Sequence, residues 1–153
     1  MPKTFVVDAS TTLKWIFDDE QYSQQALHLL QKWSLQRKID LITPNIWVFE
    51  VANAIRTAFV RKRLNSRLAK NKFNQLLDVS PYLVNIEPEM DICLKNSFKY
   101  NISVYDSAYI TLAIANRTTL ISSDSKLIRS INNPKIAVSL RGLKPTTSTS
   151  TIP

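Results

Sequence analysis

Residues 3–15, KTFVVDASTTLKW, decide the fold. Phe5, Val6 and Val7 have the aromatic and β-branched character of a short strand buried on both faces. Asp8 ends that run, and Ala9, Ser10, Thr11 and Thr12 read as the start of a helix that the carboxylate can cap. A carboxylate placed directly behind a buried strand is costly unless something holds it. The same design returns in residues 118–127, TTLISSDSKL, where Leu120 and Ile121 lead through Ser122 and Ser123 to Asp124.

Outward from these two stretches the chain alternates strand and helix. Strand patterns fall at residues 4–7, 40–44, 82–86, 118–122 and 135–140. Helical spacing predicts helices within residues 22–38, 45–63, 65–79, 87–101, 103–117 and 125–131. Tyr22, Ala26, Leu29, Leu30 and Trp33 would face inward on the first of these. Ile46, Phe49, Val51, Ala54, Ile55, Ala58 and Phe59 would do so on the second, and Leu68, Phe73, Leu76 and Leu77 on the third. The stripe in residues 103–117 is Val104, Ala108, Leu112 and Ala115.

Such alternation predicts an α/β fold: a central, mostly parallel five-stranded sheet with helices on both faces, a three-layer α/β/α sandwich. One domain over residues 1–143 and a polar tail over 144–153 are expected, since 153 residues can enclose one substantial core. In open sheets of this kind ligands bind beyond the carboxyl ends of the strands, where Asp8 and Asp124 fall.

Composition narrows the chemistry. Gly142 is the sole glycine, which excludes glycine-rich dinucleotide and phosphate loops. Cys93 is the sole cysteine, so neither an internal disulfide nor a Cys-rich zinc site can be built. His28 is the sole histidine and sits among leucines with no motif around it, which argues against a Ser-His-Asp arrangement. No apolar run reaches membrane-spanning length and the start lacks a signal peptide's core, so a cytoplasmic location away from membranes is expected.

The net charge is +8, and it is unevenly distributed. No acid lies between Glu50 and Asp78, where Arg56, Arg61, Lys62, Arg63, Arg67, Lys70 and Lys72 accumulate, and none follows Asp124. A phosphate-rich partner such as RNA suits this pattern, with Arg56, Arg61, Lys62 and Arg63 as candidate contacts. A solvated basic surface accounts for it too.

Of twelve acids, Asp18, Asp19, Glu20, Asp40, Asp78, Glu87, Glu89 and Asp91 lie in turns or near element ends. Four are embedded in apolar sequence: Asp8, Glu50 in VFEVANA, Asp106 in VYDSAY, and Asp124. Each has a plain structural reading, as a helix cap for Asp8 and Asp124 or as an ion-pair partner for Glu50 and Asp106. Gathered together they would repel by about 4 kcal/mol per pair at ~4 Å and an effective dielectric of ~20. A divalent cation removes that penalty, and all-oxygen donors suit Mg²⁺ or Mn²⁺. Such an ion activates water and stabilises charge on a phosphodiester. Ser10, Asn53, Ser122 and Ser123 are placed to support the carboxylates by hydrogen bonding.

VVDASTTLKW, TPNIWVFEVANAIR, ISVYDSAYITLAIA and TLISSDSKL together resemble the acidic blocks of the PIN-domain ribonucleases, in particular the VapC-type toxins of toxin-antitoxin pairs. The resemblance spans residues 5–127 and implies a PIN-like α/β/α sandwich with Mg²⁺- or Mn²⁺-dependent endoribonuclease activity. Asp8, Glu50, Asp106 and Asp124 match the family's metal-binding acids, and Ser10 and Ser122 match positions where a hydroxyl is usual. Ser122 stands where threonine is more frequent, a change that keeps the hydroxyl. A homodimer and a cognate antitoxin are implied as partners. Two alternatives remain: a binding module for RNA or protein on the same fold without catalysis, and a phosphoacceptor domain. The latter lacks its usual acidic pair after the first strand.

Overall fold

A computed structural model describes residues 1–144. The tail expected over residues 144–153 falls outside them, apart from Lys144. The chain forms β1 (Lys3–Val7), α1 (Ala9–Thr12), α2 (Ser23–Leu30), β2 (Ile39–Pro44), α3 (Trp47–Val60), α4 (Ser66–Asp78) and β3 (Tyr82–Val84). It continues with α5 (Met90–Tyr100), α6 (Val104–Ala115), β4 (Leu120–Ser122), α7 (Ser125–Ile131) and β5 (Ala137–Ser139).

The strands form one five-stranded parallel sheet in the order β3-β2-β1-β4-β5. From β1 the chain first builds outward through β2 and β3, then returns to place β4 on the other side of β1. The order therefore reverses between β1 and β4, the position at which parallel sheets open a crevice at their carboxyl edge. Val6 is level with Leu120 and Val7 with Ile121, so both strands expire at the same edge.

Alternation along each strand divides the core into two layers. Val7, Leu41 and Ile121 pack with Trp15, Ala26, Leu29, Trp47, Val51, Ile55 and Leu76 on one face. Val6, Leu120 and Ala137 pack with Cys93, Ala108, Ile110, Leu112, Leu127 and Ile131 on the other. Full burial stabilises by about 1.5–3 kcal/mol for each large apolar side chain, so the three-layer arrangement follows from strands apolar on both sides.

Several local expectations are corrected. The regular helix expected over residues 22–38 stops at Leu30 and turns into a π-helical turn, Gln31–Leu35. There Trp33 donates to the Val79 carbonyl at 3.0 Å. Phe49, Phe59, Leu68 and Leu77, expected inward, are exposed, as is Ala115. The helices bearing Phe49 and Leu68 touch the core along one narrow stripe, Trp47, Val51, Ile55 and Ala58 on α3 and Leu76 on α4. Pro44 ends β2, as the strand expected over residues 40–44 has it, and α3 begins at Trp47. Among the described residues no helix is long and apolar enough to cross a membrane.

Candidate active site

The loop from β1 into α1 sets Asp8. Its extended backbone lets the side chain cap α1, accepting from the Thr11 amide at 3.0 Å. Ser10 donates to the same oxygen at 2.8 Å, Ser122 donates to Oδ2, and Ser123 donates to the Ser10 hydroxyl at 3.0 Å. Asp8 is only 6% exposed. Burial pushes its carboxyl above the ordinary range, and the donors from Ser122, Ser10 and Thr11 work against that rise.

Helix α1 is pinned from two directions. Thr11 donates to the Ile121 carbonyl of β4 at 3.4 Å, and the Thr12 hydroxyl accepts from the Trp47 indole of α3 at 2.9 Å. The Thr43 hydroxyl donates to the Val7 carbonyl at 2.9 Å, closing the end of β1. These contacts fix Asp8 relative to the α3 turn that carries Glu50.

Glu50 lies in the first turn of α3 and accepts a hydrogen bond from the Tyr109 hydroxyl at 3.0 Å. Its carboxyl is pushed up to about 7, first by burial and then by the charges of Asp8 and Asp106, while the Tyr109 bond lowers it. Tyr109 is 1% exposed. Burial and the charges of Glu50 and Asp8 push its phenol up, against a smaller opposing effect of the Ala9 backbone amide. One buried hydroxyl thus links the start of α3 to α6.

Asp106 occupies the first turn of α6, whose start is capped by Ser103 accepting from the Asp106 amide at 3.0 Å. Burial and the charge of Asp124 raise its carboxyl, and Ser103 and Lys126 pull it down. Asp124 caps α7, accepting from the Lys126 and Leu127 amides at 3.0 and 3.1 Å. The coupling therefore runs as a chain, Asp8 with Glu50, Glu50 with Asp106, and Asp106 with Asp124. A cleft of about 360 Å³ lies beside the last two acids, lined by Asn101, Ser103, Lys126 and Ser130 among others. A cleft of similar size, about 370 Å³, sits at the opposite, amino end of the strands around Trp33, Arg37 and Asp40, and none of the four acids lines it.

Both structural readings of the acids can now be compared with the geometry. Asp8 and Asp124 do cap helices. Glu50 and Asp106, in contrast, form no ion pair among the described residues, where the pairs are Lys14 with Glu20 and Arg63 with Asp19 and Glu20. Oε2 of Glu50 and Oδ2 of Asp124 accept no hydrogen bond among the described residues. No three His, Cys, Asp or Glu side chains among them stand close enough to form a ready-made metal cage. The donors are nevertheless all oxygen and mutually repelling. Mg²⁺ commonly keeps several waters and uses one or two carboxylates rather than a closed protein cage, so this set fits it.

The remaining expected residues divide. Ser10, Ser122 and Ser123 join one hydrogen-bonded group with Asp8. Asn53 is exposed, its side chain makes no hydrogen bond among the described residues, and its backbone carbonyl accepts from the Thr57 hydroxyl at 2.9 Å. Arg63 is committed to Asp19 and Glu20 and lies over the Phe17 ring at 4.8 Å. Arg56, Arg61 and Lys62 are exposed on or just after α3, with no ion pair to the four acids. Sequence reasoning missed Tyr109, Ser103 and Lys126. The available signal was helical spacing, since Tyr109 follows Asp106 by one turn.

Comparisons with known proteins bear on this arrangement. No curated protein matches the chain. Among solved structures, the crystal structure of PAE2754 from Pyrobaculum aerophilum superposes with a TM-score of 0.69 at 18% identity, covering 92% of this chain and 93% of that one. At that identity the likeness speaks for the fold. The sequence pattern of the PIN domain matches residues 5–131, a span that contains all four acids, and the chain belongs to the PIN domain family.

Proposed function

We propose that this chain is a Mg²⁺- or Mn²⁺-dependent endoribonuclease, the toxin of a toxin-antitoxin pair of the VapC type. PIN domains are generally metal-dependent nucleases. The observation that carries the reading is the coupled row Asp8, Glu50, Asp106 and Asp124 at the point where the sheet order reverses, with Glu50 and Asp106 in no ion pair among the described residues. Asp106, Glu50 and the outward oxygen of Asp124 would hold the ion, with Asp8 completing the negative field from its serine cradle. The bound ion supplies charge neutralisation for the attack of water on a phosphodiester.

The chain's own groups do the positioning. Tyr109 orients Glu50, Ser10 and Ser122 orient Asp8, and the caps of α6 and α7 aim Asp106 and Asp124 into the same crevice. Exposed Arg56, Arg61 and Lys62 supply attraction for the RNA backbone. Homodimer formation and inhibition by a cognate antitoxin come from the resemblance to VapC-type toxins. Incubation of purified protein with total RNA tests the activity: cleavage in Mg²⁺ or Mn²⁺ that stops with chelator supports it, and metal-independent cleavage contradicts it.

A second reading, a binding module without turnover, has two observations in its favour. The helix caps already occupy part of Asp8 and Asp124, and no ready-made metal cage exists among the described residues. RNA binding without cleavage across both metals would select it.

A further inference from the structure

The cleft beside Asp106 and Asp124 has features that the carboxylates do not use. Its volume is about 360 Å³, and Ile102 and Leu127 give it apolar walls. Asn101 and Ser130 line it with uncharged polar side chains that make no hydrogen bond among the described residues. Lys126 lines it as well, together with Asp106 and Asp124, and forms no ion pair among the described residues. Asn101 caps the end of α5 in the left-handed conformation at φ 52°, which asparagine tolerates better than most residues.

We propose that this cleft seats one nucleotide of the RNA adjoining the scissile phosphate: Lys126 contacts a phosphate oxygen, the partly exposed Ile102 covers the base, and Asn101 and Ser130 read its edge. The inference rests on the nuclease reading above. An amide and a hydroxyl can each donate and accept, and that is the chemistry needed along a base edge. A lysine ammonium is a point charge suited to phosphate. The placement also separates tasks. The carboxylates would repel a phosphodiester on their own, and Lys126 is the basic side chain that shares the cleft with them.

Three variants test it: Ser130→Tyr, which fills the cleft; Asn101→Gly, which keeps the left-handed backbone; and Lys126→Met, which keeps the apolar stem. Folding is checked by thermal melting. The readouts are cleavage-site sequencing on a pooled RNA, KM and kcat, and the salt dependence of binding to a short single strand in Ca²⁺. Expected for Ser130→Tyr is a KM raised about tenfold or more with a changed base preference at one position next to the cut. Asn101→Gly should relax preference at that same position. Lys126→Met should reduce the slope of log K against log salt by about 0.7, the value of one lost phosphate contact on a single strand. If folded Ser130→Tyr and Asn101→Gly proteins cut the same sites with unchanged KM, or the Lys126→Met slope matches wild type, the nucleotide seat is wrong while the nuclease reading stands. If wild type cuts no RNA with either metal, the nuclease reading falls and the seat with it.

Discussion

The Tyr109 hydroxyl donates to Glu50 across 3.0 Å from a side chain that is 1% exposed. Tyr109 belongs to α6, one turn beyond Asp106, and Glu50 belongs to α3, so a single bond sets the relation between two helices that each carry a site carboxylate. Tyr109→Phe keeps the ring and removes the bond. It should leave the protein folded, with a stability loss of about 1 kcal/mol. The Mn²⁺ concentration for half-saturation, read by calorimetry, should rise about 10–100-fold, as it does when a partner that orients a metal-binding side chain is lost. Unchanged Mn²⁺ affinity would show that the bond is structural only.

Metal-free stability should fall as pH rises. A carboxyl with a folded pKa near 7 binds more protons in the folded than in the unfolded chain between about pH 4.3 and 7, so the folded state loses relative stability across that window. Asp8 and Asp106, both raised, act in the same direction. With chelator present, melting temperature should decline from pH 5 to pH 8. Glu50→Gln should flatten that decline and raise the value at pH 8 by about 2–4 °C, equivalent to roughly 1 kcal/mol after allowing for screening at a partly exposed group. A wild-type profile that climbs from pH 5 to pH 8 would contradict the repulsion assigned to these acids.

Ser122 and Ser10 both donate to Asp8, yet they should not matter equally. Ser122 is fully buried and bonds the inner oxygen, whereas Ser10 is partly exposed. Ser122→Ala leaves a buried carboxylate short of a donor that water cannot replace, costing about 1–3 kcal/mol, and Ser10→Ala should cost less than about 1. Chemical denaturation separates them, and equal losses would show that the two donors are interchangeable.

Much of this architecture was legible in the sequence because two signals agree. An apolar run that ends in Asp occurs twice, at Val7-Asp8 and again before Asp124, and parallel pairing of β1 with β4 brings those ends to one edge. Glu50 and Asp106 stood out as acids in apolar surroundings for the same reason. What the sequence concealed was orientation within crowded helices. Tyr109 reads as one more core aromatic, since spacing says that it faces inward but not that its hydroxyl finds Glu50. Phe49 and Phe59 look like core residues, but α3 already fills its contact with Trp47, Val51, Ile55 and Ala58, which leaves both outside. The basic run was legible as charge but not as use, because nothing local shows that Arg63 turns back to Asp19, Glu20 and Phe17.

That last difference is testable within one charge cluster. Arg63→Ala should lower stability by about 0.5–1.5 kcal/mol through loss of its ion pairs and its contact with the Phe17 ring. Arg56→Ala, at an exposed position, should stay within about 0.5 kcal/mol of wild type in stability. It should weaken RNA binding instead, with a shallower salt dependence. Paired melting curves and filter-binding titrations distinguish the two, and a reversal of roles would remove the assignment of α3 as part of the RNA-facing surface.

The most direct test of the account is the single-turnover rate of RNA cleavage in Mg²⁺ for wild type beside Asp8→Asn, Glu50→Gln, Asp106→Asn and Asp124→Asn, each confirmed folded by melting. The account predicts metal-dependent cleavage by wild type and a loss of roughly 100-fold or more in Asp8→Asn and Asp106→Asn, the rate equivalent of about 3 kcal/mol of lost charge stabilisation. Cleavage by folded Asp8→Asn and Asp106→Asn proteins at the wild-type rate would contradict it.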